Sequence, residues 1–347
     1  MSKTLQDYAT LINDTIQSNE INHYITTDNM RQNLGGIDTL KNINIPQGKV
    51  RSFQKDDVLL SNIRLYFRKV YKAKQKGGCS SDILVFRAKH IDSATLFAIL
   101  SSQIFTDYAC SGSQGSKMPR GNKTHMMDFK IPTINFTIAK IFNSIQNKIE
   151  NNHKINELLH TLAYKIYEYY FKYKPKNAKL EQIIIENPKS SIMVKNAQKT
   201  QDKYPFFTSG DNILSYPKAI IDGRNCFLNT GGNAGIKFYV GKASYSTHTW
   251  CICANEFSDY LYLLLSSIKT HINQSFFQGT SLKHLQKNLL KKYPIYMPSA
   301  HEIKKFNQII MPLLTLISIN TRTSKKLEQI RDFLLPLLLK QQVKPPK

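Results

Sequence analysis

The residues in this chain that invite a chemical reading are cations, interleaved with aromatics and glycine-rich loops. The run RLYFRKVYKAKQK at 64–76 holds six basic residues and no acidic one, set among Tyr66, Phe67 and Tyr71. Its alternation predicts a strand with a basic face that ends in a turn at Gly77-Gly78. CSGSQGSKMPRGNKTHM (110–126) is a basic, Gly/Ser-rich loop, and QGTSLKHLQKNLLKKYP (278–294) mirrors it with four Lys and no acid. Flexible basic loops of this kind suit phosphate oxygens and base edges. On this reading Arg64, Arg68, Lys72, Lys117 and Arg120 would serve one stretch of a polyanion. Lys203, Arg224, Asn233, Lys242 and Lys283 would serve a second. Taken singly, each is better explained as solvated surface in a Lys-rich chain.

Catalytic constellations are missing from this inventory. The chain has no HExxH, no GxSxG, no Asp/Asn/Ser-Pro-Pro-aromatic tetrapeptide and no Walker lysine loop. Glu302-Ile303-Lys304 carries the last triplet of a PD…(D/E)xK nuclease core without an Asp placed before it. GGNAG at 231–235 lacks the Lys-Ser/Thr that a phosphate-cradling loop requires. His248, Cys251 and Cys253 fall along one expected strand and read as a half-buried structural cluster, not as metal ligands. The five Cys form no CxxC pair. The expectation is a binder, not an enzyme.

The net charge of +24, from 48 Lys+Arg against 24 Asp+Glu, calls for a polyanionic partner. A membrane surface would want a basic amphipathic helix, and the long helical segments here carry mixed charge. No apolar run reaches the ~18 residues of a membrane span, and the N-terminus lacks a signal-like apolar core, so a cytoplasmic protein is expected. Hydrophobic content of 41% with 18 Tyr and 18 Phe marks a folded chain.

Two long amphipathic helices must hold these loops in place. Between Phe136 and Phe171 there is no Gly or Pro, and apolar residues recur at Ile138, Ile141, Ile145, Ile149, Ile155, Leu159, Leu162, Ile166 and Tyr169. From Ile303 to Leu339 the stripe returns at Ile303, Phe306, Ile310, Leu313, Ile317, Ser324, Leu327, Ile330, Leu334 and Leu337. An offset of 168 residues aligns Leu159 with Leu327, Leu162 with Ile330, Ile166 with Leu334, and DVLLSN (57–62) with NCFLNT (225–230). ILSSQ (99–103) falls near LLSSI (264–268), and Asp28-Asn29 near Asp211-Asn212. The chain is therefore two copies of one globule, each followed by a long helix. Expected boundaries are 1–133 for the first globule, 134–172 for the central helix, 173–298 for a linker and the second globule, and 299–347 for the distal helix and tail. Pro312 is positioned to kink that distal helix. Asn152 and Asn320 each interrupt an apolar stripe near mid-helix. If the helices pack antiparallel, these two are expected to face one another and fix the register.

These features together resemble the specificity (S) subunit of type I restriction–modification systems. GNAGIKFYVGKASYSTHTW (232–250) resembles the core of a target recognition domain. GTSLKHLQKNLLKKYPIYMPSAHEIKKFNQII (279–310) resembles the passage into a spacer helix, and KLEQIRDFLLPLLL (326–339) resembles the end of one. KDDVLLSNIR (55–64) and the 94–132 segment resemble first-half counterparts. The chain departs from the family at both helix entrances, where MPSAHEIKKF and IPTINFTIAK stand in place of P-P-x-x-E-Q. The resemblance implies an α+β fold with two target recognition domains and two helices paired as an antiparallel coiled coil. It implies a non-catalytic reader of a bipartite site in double-stranded DNA. Methyltransferase subunits would bring S-adenosylmethionine, and a motor–nuclease subunit would bring ATP and Mg, this chain binding none of them. A type IIB specificity subunit, or a silent allele, is the alternative; a coiled-coil RNA-binding scaffold fits the duplication less well.

Overall fold

A computed structural model of the chain describes residues 3–38, 43–197, 203–210 and 213–340. Contacts divide it into two compact units, the described parts of 1–154 with 324–347, and of 155–323. Each is a mixture of strands and helices, and their main sheets share one topology. In the first unit β1 (Ala9–Ile12), β2 (Val58–Ser61), β3 (Val70–Lys72) and β4 (Ile83–Ala88) lie in the order β1-β4-β2-β3. In the second, β5 (Ile185–Glu186), β6 (Arg224–Asn229), β7 (Ile236–Val240) and β8 (Thr249–Cys253) lie in the order β5-β8-β6-β7. All of these pairs are antiparallel. Leu59 stands opposite Val85 and Phe227 opposite Cys251, so the offset of 168 holds on β2 and β6 and slips to 166 on their partner strands. A parallel bridge repeats as well, Ile25 with Cys79 and Phe207 with Tyr245. The Asp28-Asn29 match to Asp211-Asn212 lies outside the described residues.

Central strands in both sheets are buried almost throughout because both faces are covered, β6 at every position but Arg224. VLLS of β2 is buried at every position, as expected of a strand sandwiched by other layers. The helix that follows each sheet is equally dry: α1 (Ser93–Leu100) and, in the second unit, α4 (Ser258–Ser267). In the first unit a second helix, α2 (Gln103–Ser111), follows α1 directly. Ser102 separates them. Its hydroxyl donates to the Ile99 carbonyl at 2.7 Å and accepts from the Phe105 N–H at 3.2 Å, capping the second helix.

Two expectations are corrected here. Residues 64–69 do not extend the strand: Leu65–Phe67 form a 3-10 turn bracketed by left-handed Arg64 and Arg68, and only Val70–Lys72 is strand. Gly77-Gly78 is not a turn but part of a strand, Gly77–Cys79. A Cβ on Gly77 would meet the His23 carbonyl at 2.6 Å, and one on Gly78 would meet Ile21 at 2.5 Å. Close approach of neighbouring chain, not a positive φ, is what requires glycine there.

The long helices are α3 (Phe136–Tyr167), ending in a π turn at Glu168–Lys172, and α5 (Ala300–Leu338), which continues through Pro312. Each unit takes one part of each helix. In the first, Ala139 and Phe142 of α3 share a core with Leu335 and Leu338 of α5. In the second, Ala163 and Tyr167 share a core with Ile303, Phe306, Ile310, Leu314 and Ile317. The buried stripe thus differs from the expected one along α3 and distal α5. Ile141, Leu162 and Ile330 are exposed, while Gln146 and Arg331 are buried; Asn152 and Ser324, polar residues on the expected stripe, are buried on it.

Polar partners explain those buried sites. In the first unit Asn152 donates to Ser324 Oγ at 3.1 Å, and Arg331 donates to Gln146 Oε1 at 3.0 Å. In the second, Asn320 donates to Asn156 Oδ1 at 3.0 Å. The expected facing of Asn152 and Asn320 is corrected: each finds a different partner, one turn along. Each amide is satisfied within its own unit, Asn152 by the Ser324 hydroxyl and Asn320 by the Asn156 amide, so neither needs the other as its partner.

Helix α5 opens on a reciprocal capping box. The Ser299 N–H donates to Glu302 Oε2 at 2.9 Å while the Glu302 N–H donates to Ser299 Oγ at 3.3 Å. That backbone bond, then the Tyr296 hydroxyl, draws the Glu302 carboxyl down to about 2. A depressed carboxyl stabilises the fold above its ordinary range and loses that contribution as pH falls from about 4.5 to about 2. Glu302→Ala is therefore expected to lower stability by ~1 kcal/mol above pH 5, the size of a helix cap. The deficit should shrink as urea unfolding is repeated toward pH 3. A deficit that does not change with pH would contradict the assignment.

Candidate nucleic-acid interface

A basic loop docks onto the end of the central strand in each unit, by the same backbone bonds. In the first unit the Gly121 N–H donates to the Asn62 carbonyl at 3.2 Å and the Arg64 N–H to the Pro119 carbonyl at 2.9 Å. In the second the Leu285 N–H donates to the Thr230 carbonyl at 3.0 Å and the Gly232 N–H to the Lys283 carbonyl at 2.9 Å. Isolated bridges Ile63 with Arg120 and Gly231 with His284 complete the two motifs. The strand-side residues Asn62 and Thr230 are again 168 apart. One more bond joins each tip to the start of the last sheet strand: Asn62 N–H to the Asp82 carbonyl at 2.8 Å, Thr230 N–H to the His248 carbonyl at 3.2 Å.

Three of the first five expected residues come together on the first tip. Lys117 and Arg120 are exposed on a loop closed by two bonds between Gln114 and Arg120, at 2.8 and 2.9 Å. Arg64 sits beneath, its Nη2 donating to the Lys117 carbonyl at 3.1 Å and its guanidinium lying 6.0 Å from the Phe67 ring. The backbone there is left-handed, φ +50°, which disfavours any residue with a Cβ. Its counterpart Gly232 has φ +79° and open space where a Cβ would point. The first unit thus keeps an arginine where the second has the residue the geometry favours. The side chain, as the anchor of the loop, supplies the reason.

Arg68 and Lys72 do not join this group. Arg68 donates to the Ser101 carbonyl at 2.8 Å, and burial pushes its guanidinium below the ordinary range. Lys72 pairs with Asp56 at 3.6 Å at the opposite end of the β2–β3 pair, where it faces Val58.

On the second tip Asn233 and Lys283 are both exposed and brought together by the Gly232–Lys283 bond. Below them, the Asn229 side chain donates to the Asn233 carbonyl at 3.1 Å, and Asn273 Oδ1 accepts from the Ala234 N–H at 2.8 Å. Lys242 is exposed beyond the far end of the β6–β7 hairpin, away from this tip. Lys203 is exposed with its ammonium 5.4 Å from the Tyr204 ring; the parallel pairing of Phe206 with Ser244 sets it toward the Lys242 end.

Arg224 is a correction. Its Nε and Nη2 both bond the Asp259 carboxylate at 2.5 Å, Nη1 donates to Thr315 Oγ1 at 3.0 Å, and Nη2 also reaches the Met311 carbonyl at 3.2 Å. Asp259 is buried, and burial raises its carboxyl against the opposing pull of Arg224. A guanidinium committed in this way ties sheet to helix and has no fork left for a nucleic acid.

Sequence reasoning passed over Asp82 and His284, and took His248, which is exposed, for a half-buried structural residue. Arg120 Nη2 pairs with Asp82 Oδ1 at 2.8 Å. His284 is the exposed counterpart of Arg120, and His248 of Asp82. A fixed offset of 168 does not lead to them, since His248 lies 166 residues after Asp82 and His284 lies 164 after Arg120; the repeated backbone bonds are what pair them. Cys251, weighed beside His248, is a buried thiol that accepts from Asn187 Nδ2 at 3.3 Å, and burial pushes it well up. Among the described residues no group of three or more His, Cys, Asp or Glu could hold a metal, and no helix is long and apolar enough to cross a membrane.

Comparison with known proteins adds the following. Residues 176–329 match the family model for the type I restriction modification DNA specificity domain. No curated protein sequence matches the chain. A solved type I restriction–modification S subunit from M. genitalium is similar at TM-score 0.65 and 14% identity, over 99% of this chain and 96% of that one. An HsdS subunit from Thermoanaerobacter tengcongensis aligns over 99% and 97% at 13% identity, with a TM-score of 0.37. A structure concerned with complex assembly of a type I R-M system aligns over 99% and 98% at 12% identity, also at 0.37.

Proposed function

We propose that this chain is a type I specificity subunit that reads a bipartite site in double-stranded DNA: residues 176–329 match the family model for the type I restriction modification DNA specificity domain, and the whole chain is folded like a solved S subunit. The observation that carries the proposal is the repeated tip. Two units set the same kind of basic loop on the same strand end, each with exposed groups able to meet a phosphate or a base edge. Lys117 and Arg120 would serve one half-site, Asn233, Lys283 and His284 the other. Phosphate contacts hold register, and a few side chains at each tip read bases. The chain's excess of cations supports strong, salt-dependent attraction to the duplex.

In this reading the helices α3 and α5 form an antiparallel coiled-coil spacer, for which the polar pairs Asn152–Ser324 and Asn156–Asn320 would set the register. Methyltransferase subunits and a motor–nuclease subunit dock on the chain and bring S-adenosylmethionine, ATP and Mg. Exposed Leu158, Leu162 and Tyr169 on and just after α3, and Phe333 on α5, offer apolar surface for such partners.

The test is selection from a random duplex pool by the chain assembled with its methyltransferase partner. The enriched motif is expected to have two fixed blocks separated by an indifferent gap of constant length. The chain alone should transfer no methyl group from S-adenosylmethionine. Enrichment of no motif, or methyl transfer by the pure chain, would overturn the proposal.

A further inference from the structure

Resting on the DNA-reading function just proposed, we propose that Arg120, clamped by Asp82, reads a guanine in the half-site of the first unit. Three observations lead there. Arg120 is exposed, yet its backbone is fixed from both sides by bonds to Gln114 and by the bridge to Ile63. Asp82 Oδ1 takes one N–H of Arg120 Nη2 at 2.8 Å, and the second N–H of Nη2 with a neighbouring nitrogen of the fork leaves one edge of two parallel donors open among the described bonds. The loop that carries it is pinned from below by Arg64, retained in a left-handed conformation that the second unit gives to Gly232.

A carboxylate beside the arginine decides between phosphate and base. The Arg120–Asp82 pair has a net charge near zero, so it gains little by displacing counterions, and Asp82 would repel a phosphate brought close. A base edge is neutral and rewards donors held in a fixed plane. Two parallel N–H groups match O6 and N7 of guanine in the major groove, a pattern that no other base presents.

The second unit supplies the contrast. At the same two positions it carries His284 and His248 on the same backbone bridge. The frame is shared and the side chains at the tip differ, as expected where each copy reads a different base and not a common phosphate.

The experiment uses the chain assembled with its methyltransferase partner and a panel of duplexes, each altering one position of the selected motif. Arg120→Ala is expected to lose about 10- to 100-fold in affinity for the parent motif and become indifferent to one G·C pair in one block. The penalties at all other positions and the salt slope should be unchanged. Asp82→Asn should relax the same position and no other. Two outcomes overturn the inference: uniform weakening on every duplex with a salt slope shallower by about one, the mark of a phosphate contact, or unchanged discrimination at every position. Neither touches the broader function, which is tested separately by whether the unaltered assembly selects a two-block motif.

Discussion

Asp259→Ala is expected to destabilise the second unit by ~3–5 kcal/mol, the cost of leaving a buried charge without its partner. Arg224 makes two 2.5 Å bonds to that carboxylate and is itself largely buried, with the Phe238 ring 5.8 Å from its guanidinium. Removing the carboxylate leaves Thr315 Oγ1 and the Met311 carbonyl as its neutral acceptors, and neither balances a cation out of water. Trp250, the chain's single tryptophan, stands on β8 within this unit, so its fluorescence through a urea titration reports the loss. Replacing both partners by apolar residues, Arg224→Met with Asp259→Leu, should recover most of it. A single variant within 1 kcal/mol of the parent would show that the pair is not the tie between sheet and helix described here.

The same pair shows what a sequence can and cannot disclose. Arg224 reads as one more cation in a basic chain, and nothing local marks Asp259, 35 residues on, as its partner. Duplication was readable because it is written in apolar spacing: Leu59 and Phe227 occupy equivalent rungs, and that spacing survives folding unchanged. The tips were readable as basic loops, though not as loops docked on Asn62 and Thr230, since docking is made by backbone carbonyls that any side chain permits.

Helix register was harder for a different reason. A stripe counted from apolar residues runs through Ile141, Leu162 and Ile330, which are exposed, and misses Gln146 and Arg331, which are buried. Polar residues that satisfy one another occupy buried sites at little net cost, and periodicity in hydrophobicity cannot see them. Leu34 illustrates the same limit. Its carbonyl accepts from Gln146 Nε2 at 2.5 Å in a left-handed turn, a bond between residues 112 apart in sequence.

The central claim is that each unit reads its own half of one DNA site, and exchange of residues 1–133 for the corresponding segment of another specificity subunit tests it most directly. The tip of the first unit, with Asp82, Lys117 and Arg120, lies wholly inside that segment, and the tip of the second, with Asn233, Lys283 and His284, lies wholly outside it. Sequencing the methylated motif in a host that carries the chimera and its methyltransferase partner gives the answer. The account predicts that one block of the motif is replaced while the other block keeps its bases. A motif changed in both blocks, or in neither, would contradict it.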